Sequence, residues 1–369
     1  MRAAMKNLVL FFLTFFTFQS VFSQSHNSSV EPVATISIAA ADTLTGDLGI
    51  AILSRVISVG AISPYGKAGA GVVVTQATAN TTYGPLGIEM LSRDLLPWDI
   101  VDALLANDGD TTQRQVSIID VHGNSYAFTG SGCVQKAAHM YGAGYSVLGN
   151  TLSSESIVKI IGRTFELSKG PLTDRLLESI EAGERASADA GYRSATLLVL
   201  REHGGYLGFN DRYVDIRVDD SPTPLEDLKR IYKQWMNRFT FDMQIKSIEA
   251  FMAGNNITAA RAELQRLVNE LNAQLRDKPD DPDVLNRIAF ILATYDIDRE
   301  RALDLAKRAA KLEPTNDRIL STLAECHYHL GHYDEAIAIG AELVKQSPAN
   351  DNFWKRLQKY REEKEKAGR

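Results

Sequence analysis

The sequence predicts an α+β layered domain followed by an all-α region of helical repeats. Apolar runs of strand character are grouped around pairs of amphipathic helices, in the order strands, two helices, strands, two helices, strands. Elements in that order bury their apolar faces as two stacked sheets with helix pairs outside. Beyond residue 222 no strand pattern follows. There Ala302 and Ala336 stand 34 residues apart, as do Pro314 and Pro348, a period that signals stacked helical hairpins.

The first strand opens at Ala34-Thr35 and runs to Asp42, where Asp, Thr and Gly side by side predict a tight turn ending at Asp47. A second strand reaches Ser54-Arg55, and a third apolar strand ends in Thr75, Gln76 and Asn80. Leu86, Ile88, Met90, Leu91 and Leu95 fit one helical stripe, and Pro97 opens a second helix, its missing N–H costing nothing in a first turn. Strands are predicted over 115–120, 125–129 and 145–149, with a turn at His122-Gly123-Asn124. Helices over 153–168 and 172–188 flank Gly170-Pro171, and strands over 195–200 and 213–218 close the domain.

The chain has 369 residues, 44% hydrophobic and 23% charged, enough for two or three domains with ordinary cores. A net charge of −6 gives no bulk field for nucleic acid or an acidic membrane. Residues 1–23 have the form of a secretory signal peptide: Arg2 and Lys6, an apolar core over 8–18, and Val21-Phe22-Ser23 before the cut. The expectation is export, to a periplasm or beyond the cell, with residues 24–33 a disordered linker. Cys133 and Cys326 are too few and too far apart for a disulfide framework.

Several segments together carry a resemblance to a known family: Gly46-Asp47-Leu48-Gly49, Ser54-Arg55, Val59-Gly60-Ala61, Thr75-Gln76-Ala77 with Asn80, Tyr83-Gly84, Arg114-Gln115, Thr129-Gly130, Cys133, residues 145–150, and Asp215 to Asp220. In this order the stretch from about Thr35 to Tyr232 resembles the DUF1028 family, whose fold is that of the N-terminal-nucleophile (Ntn) hydrolases. The resemblance implies a four-layer αββα sandwich over residues 34–221. Two segments depart from the family pattern: residues 188–194 are one residue short and lack a Gln, and no aromatic follows Cys133.

An Ntn hydrolase attacks with the side chain of its first residue and uses its own α-amine as base. That amine has a reference pKa near ~8, so part of it is neutral at working pH. The resemblance puts Thr35 in that role, against an amide C–N bond. Signal cleavage after Ser23 leaves 11 residues ahead of Thr35, so a second cut at Ala34–Thr35 is required; otherwise Thr35 merely begins a strand. Ser54 and Arg55 are candidates to orient the amine, and Lys67 is a candidate cation tuning the nucleophile, or else a solvated loop lysine. Thr75, Gln76, Asn80, Gly149 and Asn150 are candidates to bind a substrate amide or stabilise an oxyanion, or else to tie loop backbone. Asp215, Asp219 and Asp220 lie near Arg212 and Arg217; salt bridging and divalent-cation binding are the two readings. No cofactor and no metal centre is implied, and the histidines lack zinc spacing.

Pro222 begins a helical stretch, with connecting helices over 222–280 that include a degenerate repeat. Ala324, Gly331, Tyr333, Ala336 and Pro348 have the spacing of a tetratricopeptide (TPR) repeat, so residues 281–369 read as TPR-like repeats ending in a capping helix. Two functions follow as expectations. One is an exported amidohydrolase acting on a small amide; the other is a non-catalytic assembly protein whose tail binds a protein or peptide or makes a homo-oligomer.

Overall fold

The computed structural model describes residues 34–133, 136–187 and 191–368. The expected signal peptide and linker lie outside the described residues, as do parts of the two segments that depart from the family pattern. By its internal contacts the chain divides into two units: residues 1–199 with 215–230, and residues 200–214 with 231–369.

The first unit is built on two antiparallel sheets. One holds β1 (Thr35–Asp42), β2 (Asp47–Ser54), β7 (Ala138–Gly142), β8 (Tyr145–Asn150), β9 (Ser194–Leu200) and β10 (Arg212–Val218), in the order β10-β9-β2-β1-β8-β7. The other has the order β3-β4-β5-β6, from β3 (Pro64–Lys67), β4 (Gly71–Ala77), β5 (Arg114–Asp120) and β6 (Ser125–Thr129). Helices α1 (Tyr83–Leu91) and α2 (Pro97–Ala106) cover the four-stranded sheet; α3 (Ser156–Leu167) and α4 (Leu172–Ala186) cover the other. This is the four-layer αββα arrangement expected from the sequence.

The β1–β2 turn forms where expected because the Asp42 carboxylate accepts from the Leu44 and Thr45 N–H groups and Gly46 takes a φ of +76°. Along β1 the side chains alternate. Ile36 and Ile38 are fully buried, and Ile36 lies against Gly183 of α4. Thr35 and Ser37 therefore face the other sheet. The two strands absent from the sequence reading, β3 and β7, are both sheet edges, short and half-exposed, where apolar alternation is weakest.

The second unit is helical: α5 (Pro224–Ala253, whose residues from 231 on belong here), α6 (Ile257–Asp277), α7 (Pro282–Thr294), α8 (Arg299–Leu312), α9 (Asp317–His329), α10 (Tyr333–Gln346) and α11 (Asp351–Ala367). The Asn256, Asp281, Asp298, Asn316 and Asn350 side chains cap α6, α7, α8, α9 and α11 by accepting first-turn N–H bonds. Each such cap is worth about 0.5–2 kcal/mol. Ala302, Ala306 and Ala336 are fully buried, and their small size lets neighbouring helices close. No helix among the described residues is long and apolar enough to cross a membrane.

Candidate functional site at the start of the first strand

Thr35 is the first residue of β1, an inner strand, and pairs on one side with Ser54 of β2 and on the other with Asn150 of β8. Its hydroxyl is 2.8 Å from the Ser54 hydroxyl, and both residues are buried. Ser54 in turn accepts from the Val56 N–H at 3.1 Å. The carbonyl of Ala34, the peptide group directly before Thr35, accepts from the Arg55 N–H at 2.9 Å. Arg55 thus contributes backbone here, while its side chain is exposed.

A run of amides lies behind Thr35, bridging the two sheets. Ser37 donates to Gln76 Oε1 at 2.6 Å, and Gln76 Nε2 donates to Gln115 Oε1 at 3.0 Å. Asn150 Nδ2 donates to the same Gln115 oxygen at 3.1 Å, and Gln115 Nε2 reaches the Gly149 carbonyl at 3.0 Å. Every member is buried, so each polar atom needs such a partner. Gly149 itself is small for packing reasons: a Cβ there would come within 2.8 Å of Leu152. Thr35, Ser37, Ser54, Gln76, Gln115 and Asn150 are neutral hydroxyls and amides, and none of them takes a proton at neutral pH.

Of the residues singled out from the sequence, Thr35, Ser54, Gln76, Gly149 and Asn150 come together, with Arg55 joining them through its backbone N–H alone. The others do not join them. Lys67 is at the sheet edge, exposed, with Nζ 3.3 Å from Ser92 Oγ. Thr75 lies on the face of β4 opposite Gln76, fully buried, and its hydroxyl has no hydrogen-bond partner among the described residues. Sequence reasoning gave no role to Ser37 or Gln115. The signal was there: Thr35 and Ser37, and Gln115 and Ser117, are polar at alternate positions of otherwise apolar strands.

Asn80 belongs to a different cluster. Its amide donates to Asp108 at 2.9 Å, together with the Tyr83 hydroxyl at 2.7 Å and Arg114 Nε at 2.8 Å. The Arg114 guanidinium, then the Asn80 amide, hold the Asp108 carboxyl well below the usual carboxylate range. A folded value below the unfolded one, near ~3.9, adds stability in full above about pH 4 and loses it as pH falls through the folded value. Asp108→Asn is therefore expected to lower the melting temperature at about pH 7, with the gap to wild type narrowing below about pH 4 in calorimetric scans.

Two of the three carboxylates near the end of the first unit are paired, Asp215 with Arg217 at 3.5 Å and Asp220 with Arg193 Nε at 2.7 Å. Among the described residues no group of three or more His, Cys, Asp or Glu could hold a metal ion.

The DUF1028 family model, described as a family of unknown function, matches residues 35–228, and a tetratricopeptide-repeat model matches residues 298–359. A DUF1028 crystal structure from Silicibacter pomeroyi is 29% identical, with a TM-score of 0.51, over 55% of this chain and 86% of that one. The Sgt2 TPR domain from Aspergillus fumigatus is 18% identical (TM-score 0.27; 35% of this chain, 81% of that one). A TPR protein from Thermus thermophilus is 16% identical (TM-score 0.28; 56% and 97%). No curated protein matches the chain. TPR-like repeats generally mediate protein–protein interaction, and the tail of this chain is of that kind. With its match spanning more than half of the sequence and the αββα layers to go with it, the chain belongs to the DUF1028 family.

Proposed function

We propose that this protein is an exported Ntn-type amidohydrolase whose nucleophile, Thr35, is freed by a cut at Ala34–Thr35. The observation that carries the reading is the peptide group before Thr35. Its carbonyl oxygen is held by the Arg55 N–H at 2.9 Å, and the neighbouring Thr35 hydroxyl by Ser54 at 2.8 Å. A backbone donor on a carbonyl favours attack there, because it stabilises the oxyanion that forms. In the cut, Thr35 Oγ1 adds to the Ala34 carbonyl carbon, the C–N bond breaks, and the nitrogen takes the hydroxyl proton. Water then cleaves the resulting ester, leaving a free Thr35 hydroxyl and amine.

That amine supplies what the site's hydroxyls and amides lack, a group able to accept a proton near neutral pH. In turnover it takes the Thr35 hydroxyl proton as the oxygen attacks a substrate amide. It then returns the proton to the leaving amine, and water releases the acid from the acyl-enzyme. Intact-mass analysis and N-terminal sequencing of the exported protein test the proposal. A chain starting at Thr35 supports it; active material that retains Ala34 overturns it.

A second reading concerns the helical unit, and a groove there favours it. A cavity of about 630 Å³ is lined by α5, α7, α9 and α11. On this reading the groove holds a segment of a partner protein.

A further inference from the structure

The geometry points to an acidic peptide segment with a large apolar side chain as the occupant of the groove in the helical unit. The inference rests on the protein-binding reading of that unit and gives it a ligand class. Three features of the lining have to be met by one ligand.

The first is positive charge. Arg238, Arg287, Arg318 and Arg356 line the cavity against two carboxylates, Asp242 and Asp317. Just outside the wall, Asp283 is shared by Arg287 and Arg318, at 2.7 and 3.0 Å, and Glu325 by Arg356 and Lys359, at 3.8 and 3.6 Å. Counting these, five cations face four carboxylates, in a chain whose net charge is −6. A guanidinium has five N–H donors, so one with a single carboxylate neighbour still binds another acceptor.

The second is apolar surface. Phe241, Phe290 and Phe353 line the same cavity as the arginines, and the Phe241 and Phe290 rings meet edge to face at 6.2 Å. The Arg287 guanidinium sits 5.3 Å from the Phe241 ring centroid, which fixes it beside that surface.

The third is Asn286. It lines the cavity, is only 6% exposed, and its Oδ1 has no hydrogen-bond partner among the described residues. A buried acceptor left without a donor costs about 1–3 kcal/mol, which a ligand N–H recovers.

A peptide offers N–H donors along its backbone, carboxylates for the arginines and an apolar side chain for the phenylalanines. A nucleic-acid backbone has no N–H to give Asn286, and inorganic phosphate has nothing for the rings.

Selection of random displayed peptides on the full-length protein tests this, with Asn286→Leu and the charge-reversal pair Arg238→Glu with Arg318→Glu as counter-selections. Arg238 and Arg318 are exposed, so circular dichroism should report an intact fold for the pair. Wild type is expected to enrich peptides with Asp or Glu flanking Phe, Leu or Trp, and both variants to bind the enriched peptides about tenfold or more weakly. Enrichment of neutral or basic peptides, still lost in the variants, overturns the acidic class and leaves the groove reading standing. If nothing is enriched, or if the variants bind as well as wild type, the groove reading falls and this inference with it.

Discussion

Thr35→Ala is expected to leave the export host with Ala34 still attached, while wild type and Thr35→Ser begin at residue 35. Against a panel of acyl p-nitroanilides, the alanine variant is expected to lose about 10⁴-fold or more of any hydrolysis that wild type shows. Two causes act together in that variant. The attacking oxygen is gone, and without it the amine that would accept the proton is never released. Serine keeps the hydroxyl and so keeps both steps. The fold should survive, because Ser54 retains its bond from the Val56 N–H when the Thr35 hydroxyl is removed. Losing one such hydrogen bond costs about 0.5–1.5 kcal/mol. An alanine variant cut at residue 35 would mean that another protease makes the cut. One that also hydrolyses the panel as wild type does would remove Thr35 from the mechanism.

The layered core and the helical tail were legible because burial there is regular. Strands such as β1 and β4 are apolar enough to name, and the 34-residue period reappears in the caps, with Asn316 and Asn350 opening equivalent helices. What could not be read was which polar residues share a face across two sheets. Gln76 and Thr75 are neighbours in sequence, yet only Gln76 joins Ser37 and Gln115, since strand alternation turns Thr75 away. By sequence position alone, Asn80 and Lys67 are both candidates for a site near Thr35. Their partners distant in sequence, Asp108 and Ser92, were set by the α1–α2 layer, which no local pattern encodes. Nor did the sequence mark residues 200–214 as part of the helical unit.

That last segment carries a large expected stability effect. Arg201 is buried beside Glu263 of α6, with 3.2 Å between Nη1 and Oε1 and side chains only 7% and 4% exposed. The guanidinium also lies 3.8 Å from the Tyr213 ring centroid, and Glu263 holds Arg266 as well at 3.0 Å. Glu263→Ala takes one carboxylate away from two arginines, and Arg201 has little water to turn to. Breaking a buried pair from one side costs about 3–5 kcal/mol. For a unit of this size that lowers the melting temperature by about 10 °C, readable as helix loss by circular dichroism. Arg201→Met should cost much less. Glu263 then keeps Arg266, and the methionine chain can lie on the Tyr213 ring in place of the guanidinium. Equal losses in the two variants would show that the cost lies in packing rather than in a stranded charge. A loss below about 1 kcal/mol for Glu263→Ala would mean that nearby Glu270, held by Gln244 at 2.8 Å, takes over as the counter-ion.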